Sequence, residues 1–292
     1  MRIDVHQHLW SEPLLAALEQ RTTPPFARGG TIHTPGEAPV TIDLDGERPA
    51  ARRALLARDG VDRAIIAISS PIGIEALPRA QAEPLIDAYL DGVLAAGDAF
   101  MTWGPIALDG MDPRDVDAVC DRGAVGVSMP AGALASAAGV GAAMAVLERT
   151  CAREVPLFVH PGPGLADAPP DPGPGEPPWW PAMTRYVSQM QSAWLAIETF
   201  ARAELPSLRV VYAMLAGCAP LLGERLAARS ATEHTPSPLS FYDSSSFGAI
   251  AIDAVAGAVG IAQLLYGTDR PVVEPARHGR ERELALHAAW LG

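Results

Sequence analysis

Lysine is absent from the chain: all 22 basic residues are Arg. That absence excludes Schiff-base chemistry, a phosphate-loop Lys and a carbamylated Lys bridging two metals, so any metal centre is expected to be mononuclear. Cysteine is scarce and odd in number. Cys120, Cys151 and Cys218 show no CxxC spacing, which argues against a disulfide framework or a thiolate zinc site and fits a reducing, cytoplasmic compartment. Positive charge is in deficit as well, with 22 basic against 34 acidic residues and a net charge of −12. No basic run offsets it locally, so nucleic acid and anionic membrane surfaces are not expected partners. There is no apolar run long enough to span a bilayer, and Met1 leads into a strand without the basic, apolar and small-residue succession of a signal peptide. A soluble, unprocessed protein is expected.

What is present is a large apolar fraction, 49% of 292 residues, enough for one extensive core. Apolar, β-rich runs recur at Ile3–His8, Arg63–Ser69, Phe100–Ala107, Ala124–Ser128, Pro156–His160, Leu208–Met214, Ser240–Ser244 and Gln263–Gly267. Helical patterns fit between them. In Met183–Ala203, for example, Tyr186, Val187, Met190, Trp194, Ile197 and Phe200 repeat at the spacing of one helix face. Ser11, followed by Glu12 and Pro13, reads as a helix start. Eight such β-then-α units predict an α/β protein, a single-domain (β/α)8 TIM barrel over residues 1–292, with its active site at the C-terminal ends of the strands. An open doubly wound sheet is the alternative, but no Gly-rich phosphate fingerprint follows the first strand. Two stretches exceed a minimal barrel. Residues 22–45, where GGTIH and PVTID flank a turn-forming TPGEA, predict an inserted hairpin after strand 1. Residues 161–182, PGPGLADAPPDPGPGEPPWWPA, predict a Pro/Gly-rich lid after strand 5, its paired Trp179 and Trp180 covering the pocket.

The chemistry-bearing residues lie at the predicted strand ends. Side chains alternate along a strand, so His6 and His8 of MRIDVHQHLW share one face, roughly 7 Å apart along the chain, and can lean onto one ion. His160 ends the fifth strand in VPLFVHPGPG, and Asp269 ends the eighth in QLLYGTDRP as the only carboxylate expected at a strand end opposite the three His. Three imidazoles and a carboxylate form a complete ligand set for one divalent metal, Zn²⁺ first, with Mn²⁺ or Fe²⁺ if water adds further ligands.

These motifs, DVHQH, FVHPGPG and YGTDRP in that order, carry a resemblance that runs over nearly the whole chain. They resemble the amidohydrolase superfamily, in particular its amidohydrolase-related branch, which includes aminocarboxymuconate-semialdehyde decarboxylase. The resemblance implies that His6, His8, His160 and Asp269 bind one divalent metal. Members usually end the sixth strand with His-Leu-Gly-Gly, whose His acts as acid/base or polarises a carbonyl; here VVYAMLAGCAP puts Met214 in that place, and a thioether moves no proton. Members also continue with another helix where this sequence ends in AAWLG.

Further candidates for substrate contact are Arg28 and His33 on the insertion, Trp103, Trp180, Met214, Ser244 with its neighbours Ser245 and Ser246, and Arg270. His33, or a group supplied by the lid, is the candidate replacement for the missing strand-six acid. Arg270 has two readings, a clamp for a substrate carboxylate or a partner that orients Asp269. Trp10 is a candidate pocket wall, and Cys218 reads as a small apolar filler. The expected function is a metal-dependent hydrolase of a small amide- or lactone-type carbonyl substrate, with Asp269 as the catalytic proton carrier. Non-oxidative decarboxylation is the alternative, and a barrel that binds metal and ligand without turnover is a third reading. A small-molecule substrate and a homodimer complete the expected partners.

Overall fold

The computed structural model describes residues 1–35, 37–167, 175–230 and 235–291. Eight parallel strands follow one another in sequence order: Ile3–Gln7, Arg63–Ile66, Phe100–Pro105, Gly126–Pro130, Leu157–His160, Val210–Tyr212, Ser240–Asp243 and Leu264–Leu265. The last strand returns to the first. Val5 N–H donates to the Tyr266 carbonyl at 2.8 Å, Asp269 N–H to the His6 carbonyl at 2.9 Å and His8 N–H to the Arg270 carbonyl at 2.6 Å. With helices between the strands this is a (β/α)8 TIM barrel. Runs such as RAII and LFVH are buried almost throughout because a parallel strand is covered on both faces, by helices outside and by the filled barrel inside. At the centre, Trp103 stacks on Phe158 with ring centroids 5.0 Å apart, and Phe158 meets the His6 ring edge-on at 5.2 Å. The apolar core thus reaches the underside of the first-strand imidazoles.

The helix read from the periodicity of Met183–Ala203 is observed as Arg185–Ala196 running into a π-turn over Ile197–Ala201. Ser11 does precede the helix Glu12–Glu19, but its hydroxyl makes no capping bond; it lies against Gly92, where an added Cβ would come within 1.9 Å of it. Gly92 is what lets two helices of the outer ring approach there.

Two local differences from the expected elements have identifiable causes. Within residues 22–45 the chain forms three antiparallel strands, Phe26–Arg28, Thr31–His33 and Val40–Thr41. The first turn uses Gly29 and Gly30, both at positive φ, as a two-residue hairpin loop requires. The sixth barrel strand stops at Tyr212, short of Met214. Met214, Leu215, Ala216, Gly217 and Cys218 all take left-handed backbone angles, φ between 50° and 62°. Such a run costs L-residues roughly 1–2 kcal/mol each. It is held by the Met214 N–H donating to Asp243 Oδ1 at 3.1 Å and by Gln191 Nε2 donating to the Gly217 carbonyl at 2.8 Å.

Candidate metal centre

The alternation of the first strand delivers His6 and His8 to one side, and the fifth and eighth strands bring His160 and Asp269 to meet them. One ligand atom from each lies within 4.8 Å of every other. His6 Nε2 and His8 Nε2 are 3.3 Å apart, and Asp269 Oδ1 is 3.1 Å from His8 Nε2 and 3.6 Å from His6 Nε2. The three rings meet nearly at right angles.

Each ring is held by its other nitrogen. His8 Nδ1 donates to the Ala67 carbonyl at 2.8 Å, His160 Nδ1 to the Pro161 carbonyl at 2.8 Å, and His6 Nδ1 to Asp243 Oδ2 at 2.9 Å. With Nδ1 as the donor, the lone pair is on Nε2, and all three Nε2 atoms face the same point beside Asp269. The donor set therefore fits one divalent cation of the size and chemistry that imidazole and carboxylate ligands prefer.

Electrostatics follow from burial among these neighbours. Burial disfavours a charged His6, but the Asp243 carboxylate outweighs it and raises the imidazole to about 9. Burial drives His160 well below the usual histidine value, reinforced by the charges of His6 and His8. Burial also opposes a charged Asp269, yet the His8 hydrogen bond and the His6 charge hold it below the ordinary carboxylate value. Asp4, on the same strand, is raised to about 6 by burial against the bonds it accepts. It takes the Thr268 hydroxyl at 2.6 Å and Gln7 Nε2 at 2.7 Å, tying the first strand to the loop that carries Asp269. From the strand's opposite face, Gln7 Oε1 accepts from Arg52 Nη2 at 2.7 Å, and Arg52 pairs with buried Glu47.

Above the four donors lies a cavity of about 160 Å³ walled by Trp10, Ile32, Ile72, Met214 and Val272, with Glu37 and Tyr186 in its lining. Glu37, Tyr186 and Pro71 also line a second, larger cavity of about 440 Å³, bounded by Gly162, Pro163 and Arg185.

The other sequence-predicted residues are distributed as follows. Met214 and Trp10 line the metal-side cavity. His33 is turned against Phe26, stacked at 4.4 Å, and Arg28 is spent on the Glu19, Arg21 and Ala27 carbonyls. Trp103 is fully buried below the site, its Nε1 donating to the Val5 carbonyl at 2.9 Å. Ser244 is buried, with its hydroxyl near the Gly267 backbone. Of the two readings of Arg270, neither a substrate clamp nor a bond to Asp269 is observed: it binds Asp59 at 2.7 Å and Glu274 at 2.8 Å. Trp179 and Trp180 pack on each other at 5.8 Å, are 58% and 41% exposed, and are absent from the lining of both cavities. Residues 168–174 of the expected lid lie outside the described residues. Cys218 is half-buried, with its thiol pushed upward by burial, which suits a filler.

Sequence reasoning missed Asp243 and Glu37. Asp269 is not the only carboxylate ending a barrel strand, because Asp243 ends the seventh; it is wholly buried and binds His6, the Met214 N–H and Ser245. The signal was FYDSSS, where the carboxylate precedes the serines that attracted notice. Gly267 supports it, since a Cβ there would meet Asp243 Cγ at 2.8 Å. Glu37 carried only a turn signal.

No protein-family profile and no curated protein matches the sequence. Solved structures do match over nearly the whole chain. IDCase of Metarhizium anisopliae, in apo form, superposes with a TM-score of 0.70 at 16% identity, covering 100% of this chain and 90% of that one. A dihydroxybenzoic acid decarboxylase from Polaromonas sp. JS666, with bound manganese and the inhibitor 2-nitroresorcinol, gives 0.67 at 15%, covering 99% and 96%. The 4-oxalomesaconate hydratase of Rhodopseudomonas palustris gives 0.66 at 13%, covering 100% and 88%. An amidohydrolase II structure is a further neighbour. The chain thus shares the barrel of amidohydrolase-superfamily enzymes, and the likeness drawn from DVHQH, FVHPGPG and YGTDRP holds at the level of the fold. Among the described residues, no helix is long and apolar enough to cross a membrane.

Proposed function

We propose that the chain is a metal-dependent hydrolase of a small, neutral carbonyl compound of the amide or lactone type. His6, His8, His160 and Asp269 would hold one divalent ion, Zn²⁺ or, as in the manganese-bound neighbour, Mn²⁺. Such an ion, when bound, polarises a carbonyl and makes water more acidic near neutral pH. One observation carries the preference for a neutral substrate. Among its described residues, the cavity over the donors contains two carboxyl side chains, Glu37 and Asp269, and no Arg. The lining offers no guanidinium to hold the carboxylate of an anionic substrate. Asp269, itself one of the donors through Oδ1, takes the proton of an attacking water on its other oxygen. The Ser246 hydroxyl approaches that outer oxygen at 3.4 Å. The apolar walls keep bulk water from the reacting carbonyl, and the cavity volume suits a group of about one ring.

Decarboxylation is a second reading, favoured by the neighbours that are named as decarboxylases, of 5-carboxyvanillate and of 2,6-dihydroxybenzoate among them. Isotope labelling separates the two. Turnover of an amide and lactone panel in H₂¹⁸O should place ¹⁸O in the product carboxylate. Release of CO₂ from aromatic carboxylates, with no labelled hydrolysis product, would replace the hydrolase reading by the lyase one. Full metal occupancy without turnover of either panel would leave a binding barrel.

A further inference from the structure

Met214 leaves the sixth strand end without a proton carrier, and the wall around it is apolar. The insertion after the first strand supplies the one remaining acid in the described lining. Glu37 lines both cavities, as does Tyr186, so the pair stands between the small metal-side cavity and the larger outer one. The Tyr186 hydroxyl donates to both Glu37 oxygens, at 2.8 and 2.9 Å, and Arg185 Nη1 lies 3.5 Å from one of them.

We propose that Glu37 is the second proton carrier of the site, an acid presented to the cavity by Tyr186 that protonates the departing atom of the substrate. The proposal rests on the hydrolase reading for its leaving atom. The groups facing Glu37 are Tyr186 and Arg185 from one helix, with Asp269 across the cavity. Its side chain is 22% exposed. Burial raises this carboxyl above the ordinary glutamate value although the Tyr186 hydrogen bond and the Arg185 charge both pull it down. Tyr186 itself is pushed far up by burial and by Glu37, so it remains a donor throughout the working range.

Two carboxyl groups then divide the work. As water adds to the carbonyl carbon, its proton passes to Asp269. As the bond to the leaving atom breaks, its electron pair stays with that atom, the Glu37 O–H bond breaks, and the proton joins the leaving atom. Glu37 ends as carboxylate and Asp269 as carboxylic acid; one proton returned through water restores both. The geometry also orders the substrate. The acyl part occupies the cavity of about 160 Å³ over the metal ligands, and the leaving group extends past Glu37 into the cavity of about 440 Å³.

The test compares Glu37→Gln with wild type, both metal-replete, on p-nitrophenyl benzoate and benzanilide. Nitrophenolate departs without a proton, whereas an anilide nitrogen needs one. A general acid at Glu37 predicts a loss of about 10²-fold or more on the anilide and no more than a few-fold on the ester, with the alkaline limb of the anilide kcat/KM profile abolished. Equal losses on both probes, or none, overturn the assignment. A second measurement needs no turnover: ¹³C NMR titration of Glu-labelled protein, with Glu37 assigned from the Glu37→Gln spectrum. Its midpoint should lie above the ordinary glutamate value and rise further in Tyr186→Phe. If wild type cleaves neither probe, the hydrolase reading fails and this titration alone decides on Glu37: an ordinary midpoint, or one unmoved by Tyr186→Phe, overturns the proposal.

Discussion

The floor of the cavity and its roof are built on different principles. On the floor, every metal-facing nitrogen has a partner behind it: His8 on Ala67, His160 on Pro161, His6 on Asp243. The roof comes from an insertion, a left-handed turn and the segment after the fifth strand, with Glu37 and Tyr186 as its polar pair. A floor of that kind fixes positions before any ligand arrives, whereas a roof of loops sets which ligand fits. Asp243 joins the two, since one of its oxygens holds His6 and the other accepts the Met214 N–H.

The largest effect should come from the floor. His8→Ala removes one of four donors and should lower metal affinity by about three orders of magnitude or more, read by elemental analysis after dialysis against a chelator. Retention of about one equivalent of metal would contradict the assignment of the site. Asp243→Asn leaves all four donors in place but replaces the charged anchor of His6. A loss of about 10–100-fold in metal affinity is expected, and a fully unchanged affinity would show that floor and roof are not joined there. Gly217→Ala acts on the roof alone. At φ +61° its Cβ would meet the Val187 carbonyl at 2.8 Å, so a destabilisation of about 1–3 kcal/mol is expected in a denaturant melt, with metal content unchanged. Trp180→Ala should be the mildest, because its indole is 41% exposed and lies outside both cavities. Substrate KM should stay within about twofold; a larger rise would mean that the indoles close over the cavity when substrate binds.

This division also explains what could be read in the sequence. His6, His8 and His160 sit at strand ends, where the period of two fixes direction, so the residue type announces its place; Asp269 lies beyond the eighth strand at φ 60°, and its place was legible from the order of the motifs. The eight strands were legible for the same reason, as apolar runs at regular spacing. Met214 was legible as a departure, but the left-handed turn it begins was not. Leu215, Ala216 and Cys218 have no preference for positive φ, and the run is held by tertiary bonds to Asp243, Ser245 and Gln191. Glu37 and His33 show the limit from the other side. Both lie on the insertion, and the imidazole was the more eye-catching, yet stacking on Phe26 takes His33 away while Tyr186, 149 residues distant in sequence, draws Glu37 in. Arg270, beside Asp269, was open to two readings, a substrate clamp or a partner orienting Asp269, and it pairs instead with Asp59 at the end of an outer helix.

Two of the three imidazole anchors are main-chain carbonyls, those of Ala67 and Pro161. A carbonyl of the backbone is common to every residue type, so no exchange of side chain at either position removes the acceptor. Descent with modification meets an asymmetry here. Substitution can therefore rework Met214, Glu37 and the rest of the roof while these two anchors of the ion's seat stay available whatever side chain stands at positions 67 and 161.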